Sequence, residues 1–390
     1  MWRSIASNAL TLMVVGLVTF AGLLAWGQRE YTGPGPMAQA VCFQVEKGTN
    51  LGEVSRLLES KGVISDARIL RIGAGYSDKG GSLKFGSYLL PANVSMSDAL
   101  GILTAGGQST CGREVNYRIG VTGADIVLRE LDAASNSYRE VAKFDPAVDP
   151  IPAQYQDADW MADVRYRVTL AEGVTSWQVV QSLRAADFLA GDIAEVPPEG
   201  SLSPDSYEVK PKTERAEILA DMGARQTATL AELWASRAKD LPYKTPEEAL
   251  IMASIVEKET GIATERARVA SIFINRLAEG MKLQTDPTVI YGVTKGEGIL
   301  GRGLRQSELK RETPWNTYVI DGLPATPIAN PGRDSIAAAM QPDTTKYLFF
   351  VADGTGGHAF AETLKEHNIN VAKWREIEAQ QALEAEKKAQ

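Results

Sequence analysis

Two cysteines and two histidines among 390 residues are too few for a zinc-finger array or a disulfide-dense miniprotein. Basic residues are outnumbered, 41 Lys and Arg against 49 Asp and Glu, for a net charge of −8. That balance argues against a nucleic-acid partner held on a general basic surface. There is no P-loop, no G-x-S-x-G elbow and no Ser-His-Asp order. His358 and His367 stand nine residues apart, a spacing that suits no metal site, so neither metal nor cofactor is expected. His358 reads instead as pinning a turn beside Gly356 and Gly357. What is present is ordinary for a folded chain: 44% hydrophobic and 23% charged residues, at a length that suggests two or three domains.

One long apolar run stands out. No charge occurs between Arg3 and Arg29, and Ala9 to Trp26 is almost wholly apolar. About 20 helical residues at ~1.5 Å each cross a bilayer core. The sequence after the run, Trp26-Gly27-Gln28-Arg29, makes a poor cleavage site, so an uncleaved anchor is expected rather than a signal peptide. Arg3 favours a cytoplasmic start, although Arg29 on the far side weakens that bias. Residues 1–28 are read as a cytoplasmic stub and transmembrane anchor, and the Gly/Pro-rich stretch within 29–40 as a linker. Cys42 and Cys111 form a disulfide candidate: they would pair in an oxidising compartment and remain two thiols otherwise.

The expected fold class is α+β. Residues 41–110 open with an alternating strand, Val41 to Val45, then a turn at Gly48 and a capped helix carrying Leu51, Val54, Leu57 and Leu58. Helical spacing follows from Ala67 to Ile72, then a strand around Tyr88 and a last helix ending at Gly106-Gly107. The opening pattern recurs in 166–212, where Leu170 to Thr175 precedes Trp177, Val179, Val180 and Leu183. Strand, Glu-Gly turn and capped helix resemble a LysM-like small α/β unit, possessed once or twice here. Segment 111–165 alternates at Val115, Tyr117, Ile119 and Val121 and reads as a β-rich insertion followed by a Pro/Asp-rich loop. In 213–373, helices are expected from Thr213 to Ala238, from Thr245 to about Thr260 and from Glu265 to Leu277, with a buried strand at Tyr347 to Val351. Residues 374–390 read as a charged helical tail.

Glu259 is the residue most suited to chemistry. It follows Ile255 by four positions and shares the inward face of Met252, Ile255 and Val256, while Glu257 and Lys258 point elsewhere. A desolvated carboxyl at that place keeps its proton toward neutral pH, as a general acid must. The alternative is a helix-end carboxylate paired with Arg266 or Arg268. Gln284 and Asp286, in the run Leu283 to Thr288, either hydrogen-bond a sugar or cap the helix that follows. Trp315-Asn316-Thr317-Tyr318 offers aromatic faces beside an amide, for sugar or for core packing.

These segments together resemble the endolytic murein transglycosylase (YceG-like) family. The resemblance rests on the runs Ala253 to Gly292, Thr313 to Pro324, Asn330 to Ile336 and Tyr347 to Phe360, with Glu199 to Tyr207 as an earlier signature. It implies a lysozyme-like mixed α/β catalytic domain and a single-pass protein of the bacterial inner membrane, with its N-terminus cytoplasmic and its catalytic portion periplasmic. The implied substrate is nascent peptidoglycan glycan strands, cleaved without water at the MurNAc–GlcNAc β-1,4 bond to leave 1,6-anhydro-MurNAc ends. The implied partners are those strands, the lipid bilayer and the glycan polymerases of cell-wall synthesis. Glu259 would be catalytic, Gln284, Asp286, Asn316 and Tyr318 would position substrate, and Thr260 would orient the acid. Gly322 to Ile328 departs from the family's usual GLPPGPI loop. Two other readings stay open: a glycoside hydrolase using Glu259 and Asp286 as a carboxylate pair, and an anchored glycan-binding scaffold with no catalysis.

Overall fold

The structure, a computed structural model, describes residues 2–46, 48–77, 79–105, 110–156 and 164–389. The expected helix end at Gly106-Gly107 and part of the 111–165 insertion lie outside the described residues. The fold is mixed α+β with an apolar helix at the N-terminus. Two compact units share the chain: Met1–Asn116, Val127–Lys143 and Ile151–Tyr166 form the first, and Tyr117–Ile126, Phe144–Pro150 and Arg167–Gln390 form the second. Segment 111–165 therefore contributes to both.

The first unit begins with α1 (Trp2–Thr32), whose stretch Leu10–Thr32 is long and apolar enough to cross a membrane, with a mean hydropathy of 2.0. After it come β1 (Val41–Val45), α2 (Leu51–Ser60), α3 (Ala67–Tyr76), β2 (Gly86–Leu90) and α4 (Met96–Ala105). Asn50 and Glu53 form a reciprocal capping box that starts α2, and the Asp66 carboxylate accepts from the first N–H groups of α3. β1 and β2 pair antiparallel, from Val41 opposite Leu90 to Val45 opposite Gly86. Phe43, Val45, Leu58, Leu70, Leu90 and Leu100 close the core beneath them. Cys42 and Cys111 are bonded sulfur to sulfur, with their Cα atoms 5.9 Å apart. The Gly/Pro stretch after α1 is fastened rather than loose: Gly35 N–H donates to Asn93 O and Asn93 N–H to Met37 O.

β3 (Arg113–Ile119), β4 (Ala124–Asp132), β5 (Ser137–Phe144), α5 (Ala153–Gln156), β6 (Arg165–Leu170), α6 (Ser176–Ala185) and β7 (Ser206–Val209) follow. The five strands form one sheet in the order β5-β4-β3-β6-β7. The strand–turn–capped-helix pattern does recur: Gly173 turns at φ +77° and Thr175 and Gln178 build the second capping box, on α6.

The rest of the second unit is mostly helical: α7 (Arg215–Ala235), α8 (Pro246–Glu259), α9 (Arg266–Ala278), α10 (Asp286–Thr294), α11 (Gln306–Leu309) and α12 (Arg333–Met340). A hairpin of β8 (Phe349–Ala352) and β9 (His358–Ala361) precedes α13 (Leu364–Ala389). The Thr245 hydroxyl caps α8 and Pro246 supplies its first turn, where no N–H is needed. Ala249, Met252, Ala253 and Val256 of α8 pack on Ala270 and Phe273 of α9 and on Ile336, Ala339 and Met340 of α12. Each large side chain so buried stabilises the fold by roughly 1.5–3 kcal/mol. That packing fixes the axis of α8, and hence the place of its last residue, Glu259.

Two elements differ from the sequence reading. The strand expected to be buried at 347–351 lies at 349–352 and is only half-buried, because one side of Phe349 and Phe350 faces a cavity. The tail helix begins at Leu364, ten residues before the expected start. Thr363 and Glu366 cap it reciprocally, the Thr363 hydroxyl accepting from Glu366 N–H and the Glu366 carboxylate from Thr363 N–H.

Candidate active site

The C-terminal end of α8 is where apolar periodicity meets polar chemistry. The helix stops because Thr260 is extended, at φ −146°, although its N–H still bonds to Val256 O. Thr260 itself is buried, and its hydroxyl accepts from Ile262 N–H. It shapes the helix end and does not line the cavity. One step earlier, Glu259 emerges half-buried into a cavity of about 420 Å³. Arg276 from α9, Gln284, Thr285 and Asp286 at the start of α10, and Tyr318 line the same space. Phe349, Phe350, Leu364 and His367 complete it.

The other two residues of the Glu-Lys-Glu run go elsewhere. Glu257 accepts from Gly332 N–H at 3.0 Å and Lys258 donates to Gly173 O at 3.2 Å. Nor do the two candidate counter-ions reach Glu259. Arg266 pairs with Glu172 and Asp334, both at 3.5 Å, and Arg268 with Asp343 at 3.7 Å. Among the described residues no ion pair neutralises Glu259. Its partner is the hydroxyl of Thr285, which donates to Glu259 Oε1.

Thr285 is held for that contact by two other threonines, Thr288 and Thr317. Its N–H donates to Thr317 Oγ1 at 3.1 Å, its carbonyl accepts from Thr288 Oγ1 at 2.7 Å, and the Thr288 and Thr317 hydroxyls lie 2.8 Å apart. All three are buried. Gln284 precedes them in a left-handed conformation, φ +48°, with its N–H on Thr317 O, and its side chain is left exposed at the cavity. Asp286, also exposed, accepts from the Tyr318 hydroxyl at 2.7 Å.

Desolvation pushes the Glu259 carboxyl above the ordinary carboxylate range, and the charge of Asp286 pushes it the same way. The Thr285 hydrogen bond, His358 and Arg276 act in the opposite sense without cancelling the rise. Burial, reinforced by the bond to Asp286, likewise raises the Tyr318 hydroxyl, which keeps its proton. His367 is pushed down by burial and by the charge of Arg276, so its imidazole is neutral near pH 7.

Asn316 does not face the cavity. Its side chain is fully buried; its amide N–H groups donate to the carbonyls of Glu308, Leu309 and Arg311, and its oxygen accepts from Tyr318 N–H at 3.0 Å. It therefore sets the loop that presents Tyr318. Trp315 also lies outside the cavity, packed against Tyr291 with the Lys295 ammonium 3.7 Å from its ring centroid. His358 opens β9, where its Nδ1 lies 2.8 Å from Glu265 Oε2.

Arg276, Thr285, Phe349 and Phe350 were not singled out by sequence reasoning, and His367 was weighed there only as a metal ligand. Arg276 had left a signal: it follows Val269 and Phe273 at helical spacing, a charge on an apolar stripe. Its guanidinium is buried and bonded to the carbonyls of Leu283 and Leu348, which ties α10's approach to the β8 hairpin. The Thr-x-x-Glu box at 363–366 had likewise announced the helix that carries His367.

A sequence model of the YceG-like family matches residues 43–373 of the chain. An endolytic murein transglycosylase of Bacillus subtilis (strain 168) is 39% identical over 173 residues, covering 44% of this chain and 46% of that relative. One from Streptococcus pneumoniae serotype 2 (strain D39) is 26% identical over 343 residues, 85% of this chain and 58% of the relative. The chain thus spans about half the length of these relatives. Among solved structures, a yceG-like protein of Listeria monocytogenes is 24% identical, with a TM-score of 0.45, over 85% of this chain and 99% of that one.

Proposed function

The chain belongs to the YceG-like family, and on that premise we propose that it is a membrane-anchored lytic transglycosylase acting on peptidoglycan glycan strands. Glu259 is its general acid and then its base. The observation that carries this reading is a carboxyl at the end of a buried helix face, in a cavity, with its proton affinity raised by desolvation and, among the described residues, no ion pair to neutralise it. The names of the Bacillus and Streptococcus relatives support the same class of reaction.

In the proposed reaction Glu259 gives its proton to the glycosidic oxygen as the bond from C1 of MurNAc breaks. The departing GlcNAc leaves with a 4-hydroxyl. The C6 hydroxyl of the same MurNAc attacks C1, and its proton returns to Glu259. Charge and protons balance, and the product ends in a 1,6-anhydro ring. One carboxyl suffices because the nucleophile is intramolecular, and proximity stands in for an activated water. Gln284, Asp286 and Tyr318 position the strand, and Arg276, Phe349 and His367 complete the cavity wall. Asn316 contributes by holding Tyr318, and Thr260 by ending the helix at Glu259.

The remaining parts fit one arrangement. α1 anchors the chain in the inner membrane with its N-terminus inside, and the catalytic portion works in the periplasm on strands leaving the glycan polymerases. The two strand–turn–helix units act as LysM-like glycan contacts, and α8 with its terminal acid plays the part of a lysozyme-like catalytic helix. A second reading, a hydrolase, has one observation in its favour: Asp286 shares the cavity with Glu259. Mass spectrometry of products from uncrosslinked glycan strands separates the two. The full chain should release anhydro-terminated products, each lighter by one water than a reducing end, and Glu259→Gln should release none. Reducing ends would favour the hydrolase, and equal activity of the variant would remove Glu259 from the mechanism.

A further inference from the structure

Helix α1 passes from its apolar stretch into the first unit without a joint. The same helix that holds Leu10–Thr32 brings Glu30 to accept from the Ser65 hydroxyl at 2.6 Å. The ring of Tyr31 fills the space that a β-carbon on Gly73 would need, so α1 and α3 meet in close contact. Just beyond, the Gly35 and Asn93 N–H bonds strap the chain down again. The placement of α1 therefore dictates the placement of α3.

Between these helices runs an apolar groove of about 650 Å³. Leu23, Leu24 and Trp26 line it from α1, and Ile69, Ile72 and Tyr76 from α3. Ile72 is 61% exposed and Tyr76 is 86% exposed, both on a helix whose other face is core. A hydrocarbon layer of ~30 Å takes about 20 helical residues. Counted from Leu10, that layer extends to about Arg29, which places Leu23 and Leu24 inside it and Trp26 near its edge. Half of the groove's wall thus belongs to a segment that sits among acyl chains, and the opposite wall has to meet the same medium. Aromatic side chains at the edge of this layer, Trp26 and Tyr31, suit the headgroup boundary. Exposed Arg68 and Arg71, on the same helix, have stems long enough to carry their charge to phosphate.

We propose that α3 is a second, interfacial membrane element, with Ile72 and Tyr76 in the acyl-chain layer and lipid tails filling the groove between α1 and α3. The proposal rests on the reading of α1 as the bilayer anchor. Its consequence is that the first unit is pressed on the leaflet from which the chain emerges, rather than hanging on a tether.

The test uses the full chain in nanodiscs of phosphatidylethanolamine and phosphatidylglycerol. Spin labels are placed singly through Ile72→Cys, Tyr76→Cys, Val18→Cys and Leu57→Cys, the native cysteines being tied in their disulfide. Ile72, Tyr76, Val18 and Leu57 are all exposed, so no label displaces core packing. Power saturation compares access by oxygen, which concentrates in lipid, with access by a water-soluble nickel chelate. Positions 72 and 76 should show an oxygen-to-nickel ratio at least threefold above position 57, approaching that at 18. A ratio equal to that at 57, with 18 still in hydrocarbon, would overturn the proposal and leave the anchor standing. Water-like access at 18 would overturn both. Spin–spin broadening at 72 or 76 would put a second copy of the chain in the groove instead of lipid, and would also overturn it.

Discussion

The hydroxyl of Thr285 donates to Oε1 of Glu259 and is the only side-chain hydrogen bond given to that carboxyl among the described residues. A donor to a carboxylate favours its ionised form, so Thr285 acts against the desolvation that raises Glu259. The pair sets how readily the acid gives up its proton and takes it back.

Thr285→Val keeps the shape and the N–H bond to Thr317 but removes the donor. The Glu259 carboxyl should then hold its proton to a still higher pH. The alkaline limb of the pH–rate profile should move up, with a loss of activity of about tenfold, the size expected for a mispositioned proton-transfer group. A profile measured across pH 5 to 9 checks this; an unmoved limb would mean that Thr285 does not tune Glu259.

Glu259→Gln should lower the rate by about 10²–10⁴, the usual worth of a general acid. It should also change stability in a pH-dependent way. The folded chain binds the Glu259 proton more tightly than the unfolded chain does, because its folded value is raised. The stability this proton contributes is present below the ordinary carboxylate range and is lost as pH rises through the raised value. Thermal melting at pH 5 and at pH 8 should therefore show the variant gaining on the parent at the higher pH. A gap that is constant with pH would contradict the assignment.

Asn316 and Tyr318 are neighbours with different duties, and their variants should fail differently. Asn316→Ala strands the buried carbonyl of Glu308 and the part-buried carbonyls of Leu309 and Arg311. It should cost about 3 kcal/mol of stability, since each orphaned buried polar group costs roughly 1–3. Tyr318→Phe loses one bond to an exposed Asp286. It should leave the melting temperature nearly unchanged and lower kcat/KM about fivefold, near 1 kcal/mol, mostly through KM. Chemical denaturation and steady-state kinetics on the two variants separate these outcomes.

The disulfide closes a long loop, Cys42 and Cys111 standing 69 positions apart in the chain. On the chain-entropy account, a loop of this length is worth about 4 kcal/mol. Cys42→Ser with Cys111→Ser should destabilise the first unit by that order, as read by hydrogen exchange in β1 and β2. The same variant should keep its activity on soluble strands, because every residue of the cavity lies in the second unit.

Periodicity and caps made much of this structure legible. Thr245-Pro246 marked the start of α8, and Ile255 four residues before Glu259 put the acid on the inward face, where it stands. The order strand, Gly turn, capped helix marked both small units. What periodicity cannot give is which distant segments meet. Glu259 and Thr285 are 26 positions apart and join only after α8, α9 and α12 have packed, so the threonine that touches the acid was hidden between two residues, Gln284 and Asp286, that looked more suited to a ligand. Asn316 looked like a sugar-binding amide because composition cannot distinguish an amide facing a cavity from one tying three carbonyls. His367 suits no metal spacing in the sequence, and only the capping box at Thr363 and Glu366 puts it on a helix beside the cavity.

The central claim is that Glu259 moves the proton while the substrate's own C6 hydroxyl, and not water, attacks C1. Digestion of purified glycan strands in ¹⁸O-labelled water, followed by mass spectrometry of the new ends, tests it most directly. The account predicts anhydro ends carrying no heavy oxygen, formed by the full chain and absent with Glu259→Gln. Reducing MurNAc ends carrying one heavy oxygen at C1 would contradict it and make Glu259 and Asp286 the carboxylate pair of a hydrolase.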